Sequence, residues 1–256
     1  MKSLPLLCPV LLCLLLPLRA TAGAGLPRAP GGFVVAIDAG HSRESPGAVS
    51  SRGVPEYDFN TKLAVLLLER LHDRGFQRAF IISGKDQRAL SPVERAEAAN
   101  RAGADLLISI HHDSVQPCYL SRWTYGGKAL LYSDRFAGYS LFLAGCGENY
   151  RKSLLFATMV AGRMAVQGFR PSCHHGEAIP GEGRDIVDAG KGIYRDKGLV
   201  LLREARMAAV LIEGGVIVNR GEEEMLKTPE CREKIVEAIV SSVEEYSSRV
   251  PEGGHN

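Results

Sequence analysis

FVVAIDAGH (residues 33–41), LLISIH (106–111) and AAVLIE (208–213) are short apolar runs, and each ends in a residue that can bind a metal or work beside one. The runs are brief and mostly apolar, as strands of a parallel sheet are when helices cover both faces. In open α/β sheets, sites form in the crevice outside the carboxyl ends of the strands. His41, His111 and Glu213 therefore converge if the three runs are neighbouring parallel strands. Glu56 lies 15 positions after His41 and opens a helical pattern. Two histidines and one carboxylate are a ligand set of catalytic zinc sites, where a fourth position stays open. A further glutamate beside such a site is what metal-assisted hydrolysis needs as a general base.

The rest of the chain supports that topology. Leu63, Leu66, Leu67 and Leu71 share one helical face, and Gly75 is placed to stop the helix. Residues 79–83 read as a second strand. Ser91-Pro92-Val93-Glu94 has the form of a capping box with proline at the first helical position, and that helix should stop near Gly103. Residues 129–132 suggest a strand and 153–167 a helix. Residues 171–197 are rich in Gly and Pro without a period and read as one long loop, a feature that in compact domains is often functional. Thr228-Pro229 then caps a C-terminal amphipathic helix that runs to about Tyr246. Strands alternating with helices predict a three-layer α/β/α domain around a mostly parallel central sheet.

The first residues read as a targeting segment. Lys2 is a short positive start, residues 4–18 are apolar, and Ala20-Thr21-Ala22 has the small residues of a secretory cleavage site. The apolar run is shorter than the roughly 20 residues of a membrane span, and Pro5, Pro9 and Pro17 oppose a spanning helix. The expected organisation is a signal peptide over 1–22, a flexible leader over 23–32, a catalytic domain over 33–250 and a tail over 251–256. The chain has 31 Lys and Arg against 29 Asp and Glu. Loss of Lys2 and Arg19 with the signal peptide gives 29 against 29, without the basic surplus of nucleic-acid binders. No membrane span is expected in the mature protein. Cys118, Cys146, Cys173 and Cys231 remain, in no C-x-x-C pair, so a thiolate metal site is not indicated. Export would permit disulfides among them, in a pairing that sequence cannot choose.

IDAGHSRESPGAVSSRGVPEYDFNTKLA (37–64) resembles the opening block of the zinc-dependent N-acetylmuramoyl-L-alanine amidases, with a Gly-flanked histidine, PGA, and a Gly-x-x-Glu run into a helix. SIHHDS (109–114) is similar to the second histidine block, and VLLREARMAAVLIEGGVIVN (200–219) to the last, which carries the catalytic glutamate and a nearby asparagine. The blocks keep their order and spacing from about Phe33 to Tyr246. The resemblance implies one zinc per chain, held by His41, Glu56 and His111, with Glu213 as general base. It implies cleavage of the amide between N-acetylmuramic acid and the L-alanine of the peptide stem of peptidoglycan, in the periplasm or otherwise outside the cytoplasm, with or without a protein activator. It selects His111 over His112, because Ser109 stands two positions before it, and His112 is then expected to be exposed. Asp113 stands where the family often has Asn, and Gly214 and Gly215 replace bulkier residues. His174, His175, Glu177 and Glu182 fit no standard metal spacing. His174, His175 and Glu177 are candidates for a substrate contact or lid within 172–183, and Asn219 for a substrate contact. A zinc exopeptidase of related sheet topology and an inactive wall-binding domain are the alternative readings.

Overall fold

The computed structural model describes residues 30–84 and 88–250. The expected signal peptide, most of the leader and the tail lie outside them. The chain forms β1 (Val35–Ala39), α1 (Glu56–Asp73), β2 (Phe80–Ile81), α2 (Pro92–Arg101), β3 (Leu106–Asp113), β4 (Ser121–Tyr125), β5 (Lys128–Tyr132), β6 (Ser140–Leu143) and α3 (Gly147–Val166). There follow β7 (Asp185–Asp188), β8 (Ile193–Arg195), α4 (Val200–Glu204), β9 (Ala208–Val216), α5 (Arg220–Leu226) and α6 (Pro229–Arg249).

Among the described residues, seven strands make one sheet in the order β2-β1-β3-β9-β6-β8-β7, and β4 and β5 form a separate hairpin. β2, β1, β3 and β9 run parallel, β6 is antiparallel to β9, β8 is parallel to β6, and β7 is antiparallel to β8. Successive strand side chains point to opposite faces, and both faces here are covered. Val35, Ile37, Leu106, Ile108, Ile110, Val210 and Ile212 pack with the buried residues of α1, α3 and α6. Val34, Ala36, Leu107, Ala209 and Leu211 pack on the other face with residues of α2 and α4. The decisive runs are mostly apolar because neither face meets water.

The helix signals act where the sequence places them. Ser91 and Glu94 form the reciprocal capping box of α2. Gly75 takes φ +89° just past α1, a left-handed conformation that glycine adopts at little cost. Thr228 Oγ1 accepts from Cys231 N at the start of α6.

Two expectations are corrected. Residues 171–197 are not one loop: they contain a 3₁₀ turn at His174–Gly176 and the sheet strands β7 and β8. Those strands are short and partly polar, and the pairing of β8 with β6 and of β7 with β8 makes them, not their own periodicity. β3, which reads from sequence as a strand over 106–110, also continues to Asp113, which changes the setting of the paired histidines. Cys118, Cys146, Cys173 and Cys231 are all free thiols. No helix among the described residues is long and apolar enough to cross a membrane.

Candidate metal centre and active site

The site lies where β1, β3 and β9 end together. Gly40 N donates to Ile110 O at 2.9 Å, extending the β1–β3 ladder one step beyond β1. The chain then turns sharply, and His41 takes φ +70°, the one positive φ of a non-glycine residue among those described. Such a backbone is costly for a residue with a Cβ and persists where its surroundings enforce it. Here they do. The Arg95 guanidinium on α2 donates to the carbonyls of His41 (2.6 Å) and Ala39 (3.3 Å) and to Asp38 Oδ1 (3.1 Å). Asp38, buried at the end of β1, also accepts from Ser109 Oγ at 2.6 Å. Sequence reading missed Asp38 and Arg95, and used Ser109 only to choose between the paired histidines. The available signal was an acid inside an apolar run, which is costly without a partner.

Glu56 is the first residue of α1 and is delivered by a tight return of the chain. Glu56 N donates to Ala48 O at 2.8 Å, and Ala48 N donates to Glu56 Oε2 at 3.0 Å. The return is fixed to α5, where the buried Glu223 carboxylate accepts from Ser50 Oγ (2.8 Å), from Ser51 Oγ, and from Arg52 Nη1 (3.0 Å). Glu56 faces His41 Nε2 at 3.0 Å through Oε2 and His111 Nδ1 at 3.0 Å through Oε1. Asn60, one turn along α1, donates to Glu56 Oε1 at 3.1 Å and to Gly40 O at 3.2 Å. Burial opposes charge on Glu56, but its contacts with His111 and His41 outweigh that and hold the carboxyl well below the usual range.

The ligand atoms of His41, Glu56 and His111 all lie within 4.8 Å of one another. The two imidazole rings meet edge to face at 4.9 Å. Space for this convergence comes from two glycines. A Cβ on Gly40 would fall 2.2 Å from His111 Nε2, and one on Gly47 would fall 2.4 Å from Glu56 Oε2. Two imidazoles and a carboxylate in a cradle of glycines, with His41 and His111 part-exposed, fit a divalent metal centre with an open side. A cleft of about 550 Å³ lies beside His41 and His111, with Leu90, Pro92, Leu199 and Leu202 in its wall.

Glu213 is the direct partner of His111 across β3 and β9, so these two site candidates are neighbours in register. The side chain as a whole is partly exposed, but Oε2 is sealed from solvent and has no hydrogen-bond partner among the described residues. Burial, then the nearby charges of Asp113 and Glu56, raise the carboxyl well above its ordinary value.

His112 is not exposed, contrary to expectation. Because β3 persists, it points opposite to His111 and is buried beneath α1. Its Nδ1 meets Asn60 Oδ1 at 2.8 Å, its ring lies 5.4 Å from Phe59, and burial lowers its pKa to about 4. It supports the same Asn60 that holds Glu56.

The candidates in the loop have different settings. His174 and His175 are buried and turned toward Asp113. Glu177 accepts from Tyr119 OH at 2.6 Å. The Asn219 side chain caps α5, accepting from Gly221 N and Glu222 N at 3.0 Å each, and donates to Phe136 O at 3.0 Å.

The family model for N-acetylmuramoyl-L-alanine amidase matches residues 35–245. The chain is 25% identical over 226 residues to the N-acetylmuramoyl-L-alanine amidase AmiC of Escherichia coli O6:H1, covering 84% of this chain and 52% of that protein. It thus spans about half the length of that relative. It is 26% identical over 248 residues to the amidase AmiA of Escherichia coli K12, covering 90% of this chain and 82% of AmiA. The crystal structure of the apo form of the amidase Ami1 of Mycobacterium abscessus superposes with a TM-score of 0.66 at 22% identity, covering 84% of this chain and 98% of that one. That likeness is one of fold.

Proposed function

Since the chain belongs to the N-acetylmuramoyl-L-alanine amidase family, we propose that it hydrolyses the amide between N-acetylmuramic acid and L-alanine of the peptidoglycan stem, with one catalytic zinc held by His41, Glu56 and His111. The observation that carries the reading is the pairing of this triad with Glu213 across adjacent strands. A zinc ion held there would supply Lewis acidity, lowering the pKa of a water and polarising the scissile carbonyl. The protein's own part is positional and protolytic. Asn60 and the Ala48 amide hold the Glu56 carboxylate, and Arg95 holds the turn that carries His41. Glu213 accepts a proton from the attacking water and returns it to the nitrogen of the departing L-alanine as the C–N bond breaks. A cation held by the triad would offset the Glu56 charge, one of the causes that raise the Glu213 carboxyl after burial and Asp113, and so would favour the ionised form that a base requires.

We further propose that the chain acts outside the cytoplasm after cleavage behind Ala22, which the small residues Ala20 and Ala22 support. The deciding experiment is incubation of the purified protein with wall sacculi and, separately, with free stem peptides, followed by mass spectrometry. Amidase action leaves peptide-free muramic acid and stems with a free L-alanine amine. Trimming of free peptides without new ends on sacculi would replace this reading with a zinc exopeptidase.

A further inference from the structure

We propose that Asp113, His174 and His175 form a second divalent-cation site, suited to zinc, separate from the His41–Glu56–His111 triad. The donor set is the same as in the first triad, two imidazoles and one carboxylate, and the ligand atoms again lie within 4.8 Å of one another. Asp113 Oδ2 lies 2.7 Å from His175 Nε2 and 3.2 Å from His174 Nε2. In the first triad the corresponding separations are both 3.0 Å.

The outward nitrogens are also anchored as they are around metals, where a second hydrogen bond fixes tautomer and ring orientation. His175 Nδ1 meets Glu182 Oε2 at 3.0 Å, and His174 Nδ1 meets Ser172 Oγ at 2.8 Å. Glu182 is itself held by Gln116 Nε2 at 3.0 Å and by Arg184. An ionised Glu182 only accepts, so His175 Nδ1 carries a hydrogen. In a neutral ring, Nε2 then presents a lone pair to the Asp113 oxygen, which also presents one. A buried contact of that kind needs a positive centre between the two atoms. His174 Nε2 also meets Ser114 O at 3.2 Å, and a proton on each ring would serve these contacts one at a time, whereas one metal would serve the three converging ligand atoms at once. Because all three residues are buried, the site is closed to substrate. The cation would staple the turn at His174–Gly176, and the chain returning to β7, onto the end of β3. Gly183 N and Arg184 N already donate to His175 O at 3.1 and 2.9 Å there.

Metal content of the purified chain, measured by mass spectrometry after dialysis, tests this. Two equivalents are expected in the wild type and one each in His41→Ala and His174→Ala. One equivalent that is lost in His41→Ala, and retained in His174→Ala and His175→Gln, would overturn the second site alone. A chain that binds no metal would overturn both sites. Should the His174 and His175 variants fail to fold, cobalt loading of His41→Ala decides. Tetrahedral d–d bands in a protein without the first site support the proposal, and a silent spectrum refutes it. Neither measurement reads catalysis, so the outcome is independent of the activity proposed above.

Discussion

Gly40→Ala adds one methyl group at the point where β1 gives way to the metal-binding turn, and the structure sets its cost. Gly40 is outside the left-handed region, so alanine suits the backbone and the perturbation is steric. The new Cβ would lie 2.2 Å from His111 Nε2, 2.3 Å from Cε1 and 2.6 Å from Cδ2, where ordinary contact begins at 3.4 Å. One of the two must therefore retreat by about 1.2 Å. The backbone is held by the Gly40 N to Ile110 O bond at 2.9 Å, so the yielding partner is the His111 ring. That ring is committed to Glu56 at 3.0 Å. Metal sites tolerate ligand displacements of about 0.2 Å, and a misplacement of about 1 Å can cost on the order of 10²-fold in rate. The expected variant is folded, destabilised by roughly 1–3 kcal/mol as overpacked interiors are, and at least about tenfold weaker for metal, with turnover on sacculi down on the order of 10²-fold. Equilibrium metal titration, a stem-release assay and a thermal melt read the three quantities. Gly162→Ala in α3 is the control: its Cβ meets nothing within 4 Å, so it should add roughly 0.5–1 kcal/mol of helix stability and leave activity unchanged. Full metal affinity and near wild-type turnover in Gly40→Ala would refute the assignment of His111 as a ligand.

Two further outcomes are expected. Glu213→Gln keeps shape but cannot take a proton, so turnover on sacculi should fall by at least about 10²-fold with metal content unchanged; loss of the metal instead would make Glu213 a ligand. Glu222, whose carboxyl accepts from Gly138 N at 2.8 Å and Val216 N at 2.9 Å, is pushed up to about 7 by burial. It is protonated in the folded chain at pH values where the unfolded chain has released the proton. Stability should therefore fall as pH rises from about 4.5 to about 7, by an amount on the order of 3 kcal/mol. Urea melts of metal-loaded protein across pH 5–8 should show that slope flattened in Glu222→Gln, and an equal slope in both proteins would exclude Glu222 as its source.

What could be read from the sequence follows from what each feature depends on. The strands that carry His41, His111 and Glu213 are buried on both faces, so burial is written into their composition, and their order in the sheet follows from the topology of such strands. The first triad was legible for the same reason, because each member stands at the end of an element with its own local signal. β7 and β8 had no such signal: they are short, β7 is largely exposed, and they exist as strands by pairing with β6 and with each other. The two adjacent histidines were ambiguous because their roles depend on how far β3 continues. Continuation of the strand through Asp113 puts His111 at the open crevice and His112 under Asn60. The Asp113 cluster was illegible on different grounds. Its imidazoles match no spacing among themselves, and the carboxylate that unites them lies 62 positions before His175, on the strand that also carries His111. β3 therefore serves two clusters from positions two residues apart on one short stretch. A change that shortens or shifts its last turns should disturb the open triad and the closed cluster together, whereas changes in 172–184 should reach the second cluster alone.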